Sequence, residues 1–371
     1  MHVVMFYHSL VSDWNHGNAH FLRGVTTELL ARGHRVTVHE PRSGWSVDHL
    51  LADAGPAAID AFHAAYPALS SHAYDLPTID LDEVLDDADL VLVHEWNDHH
   101  LVRRIGEHRR DGGRYRLLFH DTHHRAVSDP TAMAAYDLRH YDGVLAFGRI
   151  IRDLYLERGW AQRSWTWHEA ADVRVFRPRD DPPNEGDLVW VGNWGDGERT
   201  AELRQFLFEP AADLRLRGSV YGVRYPDDAI DVVHAAGLRY RGWLANFEAP
   251  AVFARHRFTV HVPRGPYVRD LPGIPTIRPF EAMACGIPLI SAPWDDLEGL
   301  FRAGTDYLLA PDGAAMRRHM RGVLDDPAMA AELAANGLAR IRERHTCGHR
   351  VDELLAIHAD LTGSATRRIY A

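Results

Sequence analysis

Short apolar runs separated by amphipathic stretches mark this chain from its first residues. "HVVMFY" (2–7) predicts a strand, and "NAHFLRGVTTELLARG" (18–33) predicts an amphipathic helix that stops at Gly33. "RVTVHE" (35–40) predicts the next strand. "DLVLVHE" (89–95), "YRLLFHD" (115–121) and "DGVLAF" (142–147) are further β-rich runs between helical segments. Strand and helix in alternation predict a parallel sheet wrapped by helices.

The pattern breaks at "FRPRDDPPNEGD" (176–187), where proline, glycine and charge concentrate as in an interdomain linker. It restarts with "LVWVGN" (188–193), "LRLRGSVYG" (214–222), "FTVHVP" (258–263), "IPLISAP" (287–293) and "DYLLAP" (306–311). From Asp312 to about Leu361 the periodicity is almost wholly helical. Two similar α/β halves with a crevice between them are expected, divided as 1–176 and 177–348. A length of 371 residues suits two domains better than one core.

Composition narrows the function. Hydrophobic content of 46% and charged content of 25% are those of an ordinary globular protein. A formal charge of −11 argues against nucleic acid or an anionic membrane as partner. The start lacks a basic leader, no apolar run approaches the ~20 residues of a membrane span, and the two cysteines form no CxxC pair. A reducing cytoplasm is the expected location. No GxGxxG follows the first strand, which disfavours a dinucleotide-dependent oxidoreductase. Histidine occurs 25 times, with clusters at "HEWNDHH" (94–100) and "HDTHH" (120–124). These clusters lie on separate segments without HExxH spacing, so no metal is expected. His99, His100, His123 and His124 fit exposed loops or supporting positions better than catalysis.

Four stretches carry candidate chemistry. In "LPGIPTIRPFEAMACGIPLISAPW" (271–294), Pro279 suits the first turn of a helix and Glu281 is placed in that turn, where the dipole favours an anion. Gly286 suits the stop after two turns. Glu281 either caps this helix or accepts hydrogen bonds from a sugar diol. Gly17, in "SDWNHGNAHFLRGV" (12–25), lies in the first strand–helix loop; it either brings backbone close to a phosphate or belongs to a plain turn capped by Asn18. His120 ends the strand "RLLFHD" at the edge where α/β folds carry their active-site loops. In "VGNWGDGERTAEL" (191–203), Asn193 and two glycines lead to Arg199 at a helix entrance, a planar fork suited to a diphosphate. Arg224 and Arg278 are further cationic candidates.

"RPFEAMACGIPLI" resembles the donor-site signature of retaining glycosyltransferases of the GT-B fold, and "RGHRVTV" and "HEAADVRVFRP" (168–178) resemble other segments of the same enzymes. "LPGIPTIRPFE" and "RHTCGHRVDELLAI" (344–357) look more narrowly like the spore-maturation CgeB-type branch. The resemblance implies two Rossmann-like domains, an N-terminal acceptor domain and a C-terminal donor domain, with residues 349–371 packing back on the first. It implies transfer of a sugar from a nucleotide-diphosphate sugar to an unknown acceptor (sugar, lipid, protein or small molecule), with retention and without a cofactor. Glu281 would accept from the ribose hydroxyls. The family's preceding glutamate corresponds to Gly273, so backbone groups around Gly273, Ile274 and Thr276 would take its place. Gly17, Asn193, Arg224 and Arg278 would also bind the donor, while His120 and Arg199 would serve catalysis. A nucleotide-sugar epimerase or phosphorylase, a non-catalytic nucleotide-sugar binder and a metal-dependent hydrolase are alternatives.

Overall fold

The computed structural model describes residues 1–179, 185–195 and 197–363. It divides into two compact units, Met1–Glu169 with Cys347–Ala371, and Ala170–Thr346. Part of the expected linker (180–184) lies outside the described residues.

The first unit holds seven strands: β1 His2–Phe6, β2 Arg35–Pro41, β3 Ser71–Tyr74, β4 Leu90–His94, β5 Arg116–Asp121, β6 Gly143–Ala146 and β7 Ser164–Thr166. All pair in parallel, in the order β3-β2-β1-β4-β5-β6-β7. The central strands β1 and β4 are buried at every residue, as a sheet covered on both faces requires. The helix Asn18–Ala31 buries Phe21, Leu22, Val25 and Leu29, and Gly33 follows its end at φ 80°. The helix Cys347–Leu361 packs against it, and Arg32 pairs with Asp352 at 2.5 Å. The Trp167 indole also donates to the Arg350 carbonyl at 2.8 Å.

The second unit holds β8 Gly186–Val191, β9 Gly218–Tyr221, β10 Leu238–Tyr240, β11 His256–His261, β12 Leu289–Ser291 and β13 Leu308–Leu309. These are again all parallel, in the order β10-β9-β8-β11-β12-β13. Leu188, Trp190, Val220, Phe258, Val260 and Ile290 of the sheet meet Leu203, Leu207, Met316 and Met320 of the helices in one core. In each unit the strand order reverses beside its first strand, between β1 and β4 and between β8 and β11. Ligands of open α/β sheets bind beyond the carboxyl ends of the strands at that reversal.

The predicted strands are present. Three short ones were not predicted: β3, β7 and β10, whose sequences "SHAY", "SWT" and "LRY" have no apolar run. One local prediction is corrected. The helix after Thr276 starts at Ile277, so Glu281 is its fifth residue and stands past the first turn. Its carboxylate is therefore held by side chains and not by the amide pole of the helix. The stop is as predicted, with Gly286 at φ 67° after Cys285.

Candidate functional site

In the second unit, the loop after β8 is shaped by glycines at close approaches. A Cβ on Gly222 would stand 2.2 Å from the Gly192 carbonyl oxygen, so only glycine lets these two loops touch. That carbonyl accepts from the Trp190 indole and the Tyr225 hydroxyl, both at 2.9 Å. A Cβ on Gly195 (φ 97°) would lie 2.8 Å from Cγ of Arg199, which takes the space instead. Arg199 donates to the carbonyls of Val262 (2.8 Å) and Asn193 (2.6 Å), and its guanidinium lies 5.2 Å from the centre of the Trp190 ring. The Asn193 side chain accepts from the amide of Val223 at 3.0 Å. Arg199 is thus a brace between the β8 and β11 loops that also brings charge to the reversal point.

Two further arginines gather there. Burial first, then Arg264 and Arg278, push the Arg199 guanidinium down to about 9. Arg264 is held by Glu198 at 2.8 Å. The His261 imidazole beside them bonds Ser291 Oγ at 2.9 Å; burial, then Arg199 and Arg278, hold it down to about 3, so it is neutral at pH 7. Arg264 and Arg278 each have a carboxylate partner, whereas the mutual repulsion that lowers Arg199 is one a polyanion would relieve.

Glu281 is fully buried. Asn246 Nδ2 donates to one carboxylate oxygen at 2.8 Å, and Arg278 donates to the other. Ahead of it, Thr276 adopts φ 57° and ψ −179°, a region that a β-branched residue occupies only under strain. Gly273 sits at φ 101°, and a Cβ there would meet Glu298 Cγ at 3.0 Å. The space beside Gly273 therefore holds a carboxylate delivered from another part of the chain. Ile274 is in the core, leaving only its backbone for a ligand. Arg224 (φ 61°) is exposed and lines an open depression of about 550 Å³ with Trp194, Gly197, Tyr225 and Pro226. Arg264, His261, Asn246 and Glu298 were not singled out from sequence. For the first two, the signal was available: they end or directly follow the strand "FTVHVP".

In the first unit, Gly17 has ordinary helical angles (φ −62°, ψ −32°). Asn18 is the first helical residue, and its amide reaches His94 Nε2 (3.1 Å) and Thr122 Oγ1 (3.2 Å). His120 is the last but one residue of β5 and is fully enclosed, with its ring 4.8 Å from Trp167 and 6.0 Å from Phe21. Its Nδ1 lies 2.6 Å from the Tyr7 hydroxyl. Burial lowers the imidazole to about 3 and raises the phenol, so both are neutral at pH 7. His99 and His100 are exposed, while His124 is buried and bonded to Ser128 at 2.8 Å. Among the described residues no group of three or more His, Cys, Asp or Glu side chains could hold a metal ion, and no helix is long and apolar enough to cross a membrane.

Solved structures share this architecture over nearly the whole chain. Sucrose-phosphate synthase from Thermosynechococcus elongatus aligns with a TM-score of 0.65 at 16% identity, covering 98% of this chain and 100% of that one. HepE of Anabaena, solved with UDP and glucose, aligns with a TM-score of 0.65 at 12% identity over 97% and 100% of the two chains. The fold is GT-B. An α-glucosyltransferase solved with UDP and DNA gives a TM-score of 0.70 at 10% identity, over 97% of this GT-B chain and 100% of that one. Residues 199–356 match the profile of a family described as glycosyl transferase-like; the match starts at the bracing Arg199 and includes Arg264, Arg278 and Glu281. No curated protein sequence matches the chain.

Proposed function

We propose that this protein is a glycosyltransferase of the CgeB-type branch, moving a sugar from a nucleotide-diphosphate sugar to a hydroxyl of an acceptor with retention. The observation that carries the proposal is the gathering of Arg199, Arg264 and Arg278 at the strand-order reversal of the unit whose sequence matches glycosyl transferase-like proteins. Transfer builds charge on the departing diphosphate, and fixed guanidiniums in a partly desolvated site stabilise that charge without reorganising.

Glu281, anchored by Asn246 and Arg278, would accept from ribose hydroxyls. Glu298, filling the space beside Gly273, would supply the carboxylate for the transferred sugar. The strained Thr276 and the backbone of Gly273 and Ile274 would shape that pocket. Arg224, with Trp194 and Tyr225, would take the base or the outer phosphate, and Asn193 orders the loop. Gly17 would be a backbone contact to the diphosphate, while His120, neutral at pH 7 and enclosed by Tyr7, Phe21 and Trp167, would act on the transferred sugar indirectly, by holding the end of β5 in place.

HepE was solved with UDP and glucose and with UDP-glucose, and the α-glucosyltransferase with UDP, so UDP-sugars are the first donors to test. Thermal-shift measurements against nucleoside diphosphates and nucleotide sugars test the reading, since a ligand at 100 times its dissociation constant adds about 2.7 kcal/mol of stability. A stabilising donor whose effect is lost in Arg264→Ala supports it. A panel in which no nucleotide stabilises the protein rejects it, and donor binding without transfer or hydrolysis points to a sensor.

A further inference from the structure

Two tryptophans stand exposed at the carboxyl edge of the first unit's sheet. Trp45 opens the helix after β2 and is 47% exposed; Trp96 follows β4 and is 40% exposed. Leaving large indoles in water is unfavourable, and exposed aromatic surface of this kind marks binding sites. Both rings converge on His16, with centroids 6.2 Å (Trp45) and 6.1 Å (Trp96) away, each edge to face. His16 in turn contacts His8, whose Nε2 is 2.9 Å from Nε2 of His16. Trp14 and His49 support Trp45 at 4.9 and 4.7 Å, and the Arg125 guanidinium covers Trp96 at 4.1 Å. The indoles are thereby held by ring and cation contacts.

We infer that Trp45 and Trp96, with His8 and His16 between them, form a saccharide-binding platform that receives the acceptor. The inference rests on the glycosyl-transfer reading for the word acceptor, and on the first unit's own geometry for the saccharide. A pyranose is amphipathic: its C–H face packs on an indole, whose π face is electron-rich, while its hydroxyls need donors and acceptors at the rim. The platform offers both in alternation. A protein partner would want a continuous apolar patch, which the imidazoles interrupt. An anion would want uncompensated positive charge, yet Arg125 is paired with Glu95 at 2.9 Å, and burial holds His16 down to about 4 and His8 below its ordinary value, so the imidazole pair is neutral at pH 7. Neutral imidazoles remain both donors and acceptors, as hydroxyl recognition requires.

Saturation-transfer NMR and calorimetry on the full-length protein test this with defined probes: the methyl glycosides of glucose, galactose, mannose and N-acetylglucosamine, with maltotriose and cellotriose. At least one binds in the millimolar range or tighter. Trp45→Ala and Trp96→Ala each weaken it about 10-fold, and Trp45→Phe restores most of the loss. Affinity for UDP and the other nucleoside diphosphates stays unchanged in all three variants. The inference is overturned if no saccharide probe binds the wild-type protein, or if the alanine variants bind it as well as wild type does. It is also overturned if Trp45→Ala weakens nucleotide instead, which would make the platform a base-stacking site. If saccharide binding depends on the tryptophans while no nucleotide binds, the platform stands and the transferase reading falls.

Discussion

Replacing Glu281 with glutamine separates two roles that its position combines. Glu281 is fully buried and its partner Arg278 is 18% exposed. Glutamine keeps an oxygen for Asn246 but turns an N–H donor toward Arg278, leaving that guanidinium without its counter-charge. Breaking a buried pair from one side costs about 3–5 kcal/mol. Because solvent reaches part of Arg278, the expected cost here is nearer 2–3 kcal/mol. For a domain of this size each kcal/mol moves the melting temperature by about 2–4 °C, so a fall of about 4–12 °C is expected. The double variant Arg278→Gln, Glu281→Gln should recover part of that loss, since it buries no orphan charge. Ribose recognition adds a separate effect. Losing a hydrogen bond to a charged acceptor is worth about 1.5–3 kcal/mol, or about 10- to 150-fold in nucleoside diphosphate affinity. Differential scanning calorimetry and titration calorimetry read the two effects independently. A melting temperature within the error of wild type refutes the ion-pair argument. A folded variant with undiminished nucleotide affinity leaves Glu281 as an anchor for Arg278 and no more.

His120→Ala opens a cavity against Trp167 and Phe21 and orphans the Tyr7 hydroxyl, so about 2–4 kcal/mol of stability is lost. Turnover should fall about 10²- to 10⁴-fold with donor affinity nearly intact, and full turnover per folded molecule removes His120 from the mechanism. Thr276→Gly relieves about 1–3 kcal/mol of strain, offset by the freer unfolded chain. A net gain of about 1 kcal/mol is expected, and a lowered melting temperature shows that Thr276 is not strained. His120 and His261 each titrate near 3 in the folded chain, against an ordinary value of 6.5. The unfolded chain takes up their protons first, so stability is full above about pH 6.5 and declines toward about pH 3, by roughly 1.4 kcal/mol per pH unit for each histidine. His261→Gln should flatten that decline by one histidine's share, measured by denaturant unfolding between about pH 4 and 6; an unchanged slope refutes the assignment.

The long strands were legible because a parallel sheet covered on both faces demands continuous apolar runs, and "HVVMFY", "DLVLVHE" and "LVWVGN" supply them. β3, β7 and β10 were not, because a three- or four-residue strand at or near a sheet edge needs little more than a neighbour to pair with. Glu281, Arg199 and Arg278 were legible from glycine and proline punctuation around charged residues. Asn246 and Glu298 were not, since each meets its partner only after the chain has folded: Asn246 is 35 residues from Glu281 in sequence. The burial of His120 was equally hidden. Its enclosure comes from Tyr7, Phe21 and Trp167, three residues of separate segments.

The return of the helix Cys347–Leu361 to the first unit has a consequence for synthesis. Trp167 cannot donate to Arg350, nor Arg32 pair with Asp352, until the last part of the chain has left the ribosome. At about 5–20 residues per second, some 10–35 s separate the emergence of Glu169 from that of Cys347. The unit that begins first is thus the one completed last. Throughout that interval, the face of the helix Asn18–Ala31 that awaits Val351, Leu354 and Ile357 lacks its native cover.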